Sequence, residues 1–484
     1  MFGQSIQALS TLLWGRGTIA FTLLCGLYLT VGTGFLPLFR LNTILQKTVG
    51  ALFLPLSPRK RRQKESGQSR PDQKHSRRAN GCSPWAALTT ALGGTMGVGN
   101  IVGVGAALML GGPGSLFWMW VGALLGMATK YSEVLLAVRF QTQDPTSRAY
   151  RGGPMYYISR GISGTFGAFL AALYCAVCSI SSLSSGSMTQ TNAIAGALWE
   201  SFSLPPWLCA LVLTLLCAWV LRGGCDRAIQ TCSALVPLMS VLYLAGCGVV
   251  LVHFRQNIPD AFAQIFRQAL SPASALSGGS VGFATALRVG IARGIFTHEA
   301  GLGSASIAHA CSAAKSPVEQ GFWGIFEVFC DTILVCTVTA LVILASGVPL
   351  SPSSAQQAFV LVMGDAGGQV LAAAVSLFAF ASVISFCLYG QRCIEYLFPH
   401  RPRALRLYQL LFLAGGAAGC FARLPVVFAL ADLCNVCLLI PNLVALLILS
   451  PQVFQLTRDY FAKGGNPLCS SARSNQRPCS KSSC

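Results

Sequence analysis

The chain reads as a succession of long apolar blocks separated by short polar or charged links. Eleven blocks emerge, at 17–36, 84–110, 115–139, 166–199, 206–221, 231–252, 278–300, 319–346, 367–389, 404–420 and 424–449. Most approach or exceed the roughly 20 residues an α-helix needs to cross the hydrocarbon core of a bilayer. The pattern predicts an all-α polytopic membrane protein with about 11 transmembrane helices. Arg16 precedes the first apolar core and no small-residue cleavage motif follows it, so the first block reads as a retained span.

The second block breaks the smooth pattern. Its stretch Gly93-Gly94-Thr95-Met96-Gly97-Val98-Gly99-Asn100-Ile101-Val102-Gly103 holds five glycines, a threonine and an asparagine. Glycine is about 1 kcal/mol less favourable than alanine inside a helix, so this density predicts a helix that breaks at mid-membrane. Backbone that leaves the helical ladder there must line a cavity or meet a ligand, because lipid offers it no hydrogen bonds. Close helix packing through small residues is the competing explanation; Asn100 among the glycines favours the break. A second such stretch, Ser277-Gly278-Gly279-Ser280-Val281-Gly282-Phe283 with Gly290 and Gly294 beyond, opens the seventh block.

With the first block set aside, ten remain, in two sets of five that begin at 84 and 278. An odd number of spans inverts the second set relative to the first, and each set then opens on an interrupted helix. Paired interruptions in two halves point to the binding site of a secondary transporter. The chain divides accordingly into an extra N-terminal helix (1–36), a basic loop (37–83), a first repeat (84–277), a second repeat (278–450) and a tail (451–484).

Composition agrees. Only 10% of the 484 residues are charged and 53% are hydrophobic, against roughly 25% charged in soluble proteins. The net charge of +19 would suggest nucleic acid in a soluble chain. Here eleven Lys/Arg lie between Arg40 and Arg78, without the interleaved aromatics that stack on bases. If this loop is cytoplasmic and sides alternate, 27 Lys/Arg fall inside and 4 outside. That bias fits the positive-inside rule and implies an integral plasma-membrane protein, in a bacterial inner membrane, with its N-terminus outside and its C-terminus cytoplasmic. The expected macromolecular partner is the lipid bilayer and not nucleic acid. Cys175-x-x-Cys178 and Cys434-x-x-Cys437 lack the turns and histidines of a zinc site, and read as small packing residues.

Charges within spans are costly and usually paired. Lys130, Glu133, Arg288, Arg293, Glu299 and Asp331 are the cases here. Arg293 with Glu299 reads as an intracellular gate pair, or as two residues that fix a loop. Asp331, the deepest acid, reads as a cation or proton relay, or as an anchor between helices. His298-Glu299 lacks the second histidine of H-E-x-x-H, and no G-x-x-x-x-G-K loop is present. No nucleophile–base pair suggests an enzyme, and no cofactor is expected.

Longer motifs then follow one another along the chain. They are Ala87-Leu88-Thr89-Thr90-Ala91-Leu92 running into the glycine stretch, Gly111-Gly112-Pro113-Gly114, Gly126-Met127-Ala128-Thr129-Lys130-Tyr131-Ser132-Glu133, and Gly152-Gly153-Pro154-Met155-Tyr156-Tyr157. Further on come Arg293-Gly294-Ile295-Phe296-Thr297-His298-Glu299-Ala300-Gly301-Leu302-Gly303, and Asp331-Thr332 before Cys336-Thr337-Val338-Thr339. Together they resemble the alanine or glycine:cation (sodium:alanine) symporter family, from the first span to about residue 450. The resemblance implies the five-plus-five inverted repeat of the bacterial leucine transporter with one extra helix, and uptake of alanine or glycine with sodium as co-substrate. Three positions depart from the family pattern: Ser187 stands where an asparagine is usual, His298 where another is, and Phe386 where a tryptophan walls the substrate.

On that basis Thr95, Gly97, Gly99 and Asn100 are expected to meet the substrate carboxylate, since freed N–H groups at a helix end attract anions. Gln190 and Asn192 offer acceptors for the ammonium group or, alternatively, interhelical hydrogen bonds. Phe283 and Phe386 are candidate walls. Asn100, Ser382 and Ser385 are expected to supply hard oxygens to sodium. Proton coupling to another small amino acid, or a passive channel through the glycine break, are the alternatives.

Overall fold

The computed structural model describes residue 9 and residues 12–50, 81–144, 149–270 and 282–464. The basic run at 58–78 and the tail beyond 464 lie outside the described residues. The rest is helical, apart from one two-residue antiparallel strand pair, β1 (Thr142–Gln143) with β2 (Tyr150–Arg151).

Among the described residues, six helices are long and apolar enough to cross a membrane. They are α4 (Gly114–Arg139), α6 (Gly164–Phe202), α8 (Gly224–His253), α12 (Pro317–Ser346), α14 (Asp365–Leu397) and α16 (Leu424–Ala462). Shorter helices accompany them: α1 (Arg16–Gly32), α5 (Pro154–Gly161), α7 (Pro206–Arg222), α9 (Ile258–Leu270), α13 (Ser354–Met363) and α15 (Pro402–Gly419). The second predicted block is two helices, α2 (Pro84–Thr95) and α3 (Val102–Gly111), joined by a single tight turn at Val98–Asn100. The seventh is α10 (Phe283–His298) and α11 (Ser304–His309). Proline at the first helical turn, where its missing N–H costs nothing, starts several of these helices. In α2 and α12 a serine completes the start: Ser83 accepts from the Ala86 N–H and Ser316 from the Glu319 N–H.

The expected site of the second interruption does not hold. The described part of the Ser277–Phe283 cluster, from Gly282 on, simply begins α10, and residues 277–281 lie outside the described residues. Gly290 and Gly294 sit inside continuous helix. The chain breaks instead at residues 299–303, where Glu299, Gly301 and Gly303 take φ of 53°, 97° and 78°. Left-handed backbone of this kind cannot continue a right-handed helix.

Helix α4 packs against α10, α12, α1 and α9, and α14 packs against α6, α8 and α2. The two broken helices therefore lie between long helices that supply their polar partners. Two of those carry a π-helical segment in mid-course, Ser182–Met188 in α6 and Phe329–Cys336 in α12. Such segments leave main-chain carbonyls out of the regular ladder and occur often at functional sites. The cysteines of both C-x-x-C motifs are free, and Cys175, Cys178 and Cys434 are buried among apolar side chains.

Candidate functional site

The first break closes on itself through Asn100. Its Oδ1 accepts from the Gly97 N–H at 3.0 Å, capping the turn. The next N–H, of Val98, donates to Gln190 Oε1 on α6 at 3.1 Å. Both donors, in the turn that leads from α2 to the start of α3, are thus held by carboxamide oxygens. A side chain at Gly97 is excluded: its Cβ would come within 2.9 Å of Gln190 Oε1 and also collide with Ser382 Oγ. The glycine is there because α6 and α14 converge on this turn.

Beside it lies a cavity of about 10 Å³, lined by Gly94, Thr95, Gly97, Gly99, Ser185, Gln190, Phe296, Glu299, Phe386 and Asn435. That is space for about one water molecule, so an organic solute enters only when the walls part. Six of the residues singled out in the sequence meet here: Thr95, Gly97, Gly99, Gln190, Glu299 and Phe386. Three of the other lining residues escaped sequence reading. Ser185 belongs to the π-helical segment of α6, and Phe296 stands within a quoted motif. Asn435 is an amide in the middle of an apolar run, and that polarity was its only signal.

The Asn100 amide N–H₂ points the other way, to Asp331 on α12, donating to Oδ1 at 2.6 Å and to the main-chain carbonyl at 3.1 Å. Thr332 Oγ1 donates to the other Asp331 oxygen at 2.7 Å and lies 3.2 Å from Thr297 Oγ1 on α10. Asp331 thereby ties both broken helices to the π-helical segment of α12, the geometry of an anchor. A second group of oxygens forms where α2 meets α14. Ser382 Oγ donates to the Gly93 carbonyl at 2.8 Å and Ser385 Oγ to the Thr90 carbonyl at 2.7 Å. All four oxygens are hard donors of the kind alkali and alkaline-earth cations take.

The second break is held by one carboxylate. Glu133 Oε1, fully buried on α4, accepts from the Gly301 N–H at 2.8 Å, the Gly303 N–H at 3.1 Å and Asn442 Nδ2 at 2.7 Å. Asn442 also donates to the Gly301 carbonyl, and Tyr157 donates to Asn442 Oδ1. Nearby, Lys130 Nζ lies 3.5 Å from Glu327 Oε1, and His309 Nε2 lies 2.9 Å from Glu327 Oε2, all with no exposed side-chain surface. A buried charge persists only when paired in this way.

Three sequence readings find a different place. Asn192 faces α15 and donates to the carbonyls of Gly419 and Ala422 at 2.9 and 2.6 Å, so its amide has no reach into the cavity. Phe283 begins α10, 38% exposed, with its ring edge-on to Trp118. Arg293 does not pair with Glu299: they lie six residues apart, short of two full helical turns and so on different faces, and the chain leaves the helix at Glu299 with φ 53°. Arg293 pairs with Asp432 of α16 and stacks on Phe296 and Phe428 at 5.3 and 5.5 Å, while Glu299 accepts from Ser304 Oγ. The Arg293–Asp432 pair lies on the α10 side of the break, the opposite side from α11.

Residues 1–468 match the sodium:alanine symporter family. The chain belongs to that family. A transporter of Haemophilus influenzae is 36% identical over 95% of this chain and 96% of its own. The sodium/alanine symporter AgcS of Methanococcus maripaludis is 34% identical over 95% of this chain and 97% of its own. Among solved structures, MhsT in complex with L-phenylalanine shares the fold, with a TM-score of 0.57 at 13% identity over 80% of this chain and all of that one. Family membership makes this chain a transporter.

Proposed function

We propose that this protein is a secondary symporter that takes up a small neutral amino acid, alanine or glycine, together with sodium by alternating access. The observation that carries the reading is the pair of N–H groups on Gly97 and Val98 at the cavity wall, each capped by a side-chain carboxamide oxygen. A substrate carboxylate replaces those oxygens at the positive end of a half-helix. Ser185, Asn435 and the Glu299 carboxylate face the ammonium group from across the cavity, and Phe296 and Phe386 enclose the small side chain. Sodium sits among the Thr90 and Gly93 carbonyls, Ser382 Oγ and Ser385 Oγ. A second cation position uses the Asn100 carboxamide oxygen, released when the substrate carboxylate takes its place at the Gly97 N–H.

In this reading the two repeats, 84–277 and 278–450, invert about the cavity. Eleven crossings result when the two broken helices and α1, α7 and α15 are counted with the six long spans. Two segments assigned to the cytoplasm by charge touch: Arg151 of the 140–165 link lies 3.8 Å from Glu395 near the end of α14. Arg293 and Asp432 then form an outer gate above the cavity. Uptake into proteoliposomes, with sodium and proton gradients imposed separately across a panel of small amino acids, tests the proposal. Accumulation of alanine or glycine that needs the sodium gradient is expected. Accumulation on a proton gradient alone selects proton coupling, and equilibration without accumulation or counterflow selects a channel.

A further inference from the structure

A second cavity adjoins the Arg293–Asp432 pair. It measures about 380 Å³, and its walls include Trp14, Met109, Leu110 and Phe428, with Arg288, Arg293 and Asp432 as its charged groups. A thin partition separates it from the small cavity at the first break: the rings of Phe296 and Phe428 lie 5.6 Å apart, and Arg293 stacks on both. The charges in this larger cavity are not all satisfied in place. Asp432 gives Oδ2 to Arg293, whereas its Oδ1 is buried and has no hydrogen-bond partner. Arg288, five residues before Arg293 on α10, has no ion-pair partner among the described residues. Trp14 Nε1 donates to the Asp432 main-chain carbonyl at 3.1 Å, which fixes the segment leading into α1 as one wall.

We propose that this cavity is a second amino-acid site, specific for a zwitterion with a large apolar side chain such as leucine. The guanidinium of Arg288 offers paired N–H groups to the carboxylate. Asp432 Oδ1 takes the ammonium group, which satisfies a buried acceptor that otherwise carries a desolvation penalty. Trp14, Met109, Leu110 and Phe428 enclose the side chain. The volume falls within the range of small-molecule sites, while the cavity at the first break has space for about one water molecule. The two therefore favour side chains of different size. A bound leucine joins α10, through Arg288, to α16, through Asp432, beside the ion pair that already links them. Its effect on transport rests on the alternating-access reading, in which Arg293 and Asp432 part at the outer gate. Occupancy holds them together, so leucine lowers the maximal rate of alanine uptake and does not compete at the first break.

The test uses the full chain, purified in detergent for binding and reconstituted in proteoliposomes for uptake. Labelled leucine is expected to bind the purified protein, and external leucine to lower the maximal rate of sodium-driven alanine uptake with an unchanged KM. Arg288→Gln is expected to weaken leucine binding by about tenfold or more and to raise the half-inhibitory concentration equally, with alanine uptake in the absence of leucine unaltered. Met109→Trp, which fills the cavity and removes no charge, is expected to do the same. A rise in the KM for alanine at an unchanged maximal rate places leucine at the first break and overturns the second site. Leucine binding of unchanged affinity in Arg288→Gln overturns it as well. Octanoate that inhibits as strongly as leucine, with the same dependence on Arg288, overturns the zwitterion and assigns the cavity to a carboxylate amphiphile. Leucine that binds through Arg288 yet leaves the maximal rate unchanged overturns the closure. If the protein shows no sodium-driven alanine uptake, the proposed function fails instead, and binding of labelled leucine to the purified protein still decides the site.

Discussion

Gln190 joins two elements through one carboxamide. Oε1 holds the Val98 N–H of the first break, and Nε2 donates to the Ser185 carbonyl at 3.3 Å, within the π-helical segment of its own helix. Truncation to alanine removes both contacts and leaves a buried N–H unpaired, a penalty of about 1–3 kcal/mol. Gln190→Ala is expected to raise the KM for alanine about tenfold or more, read in proteoliposome uptake. Gln190→Glu keeps the shape but sets a fixed carboxylate on the donors the substrate needs; it is expected to fold, by size-exclusion profile, and to lose uptake. The Ser382 hydroxyl has a different task. Ser382→Ala removes one oxygen from the proposed cation site and is expected to raise the sodium concentration for half-maximal uptake by about tenfold, the equivalent of about 1.4 kcal/mol. Alanine affinity at saturating sodium should change little.

The two broken helices differ in what breaks them, and that decides how far each was legible. In the first, the cause is local. Glycines and Asn100 lie within one turn, Asn100 caps that turn, and the sequence announces both. In the second, the described end of the glycine-rich stretch, Gly282 and Phe283, starts α10 rather than breaking it. The actual interruption follows Glu299 and is stabilised by Glu133 and Asn442, which come from helices α4 and α16. No window of sequence contains that interaction. The same non-local cause moved Arg293 onto Asp432 and Asn192 onto α15, since which face of a buried helix meets which neighbour is a property of packing. Glu133→Ala is expected to lower stability by about 2–5 kcal/mol, because two buried N–H groups lose their acceptor; thermal unfolding in detergent measures it. Gly301, at φ 97°, tolerates no side chain without strain of about 1–3 kcal/mol, so Gly301→Ala should lower the same transition.

For the molecule as a whole, the apolar blocks mark all six long helices, because hydropathy is set by the bilayer rather than by neighbours; α8 starts at Gly224 rather than 231, and α14 and α16 run on to Leu397 and Ala462 rather than 389 and 449, since a helix can continue past its apolar stretch. Charged side chains inside those helices are paired across elements, Lys130 with Glu327 and Arg293 with Asp432, as burial demands. Between the start of α2 and the end of α11, the Cys82 N–H donates to the Cys311 carbonyl at 3.0 Å and the Ala313 N–H to the Cys82 carbonyl at 2.9 Å. In the proposed alternating-access cycle, broken helices joined by these hydrogen bonds move together, so states in which an ion passes alone are rare. The ratio of ions to solute moved per cycle then stays close to a whole number. Ala313→Pro deletes the donor that faces the Cys82 carbonyl. It is expected to leave solute binding intact while letting radioactive sodium cross in the absence of any amino acid, a slippage that isotope flux into vesicles records directly.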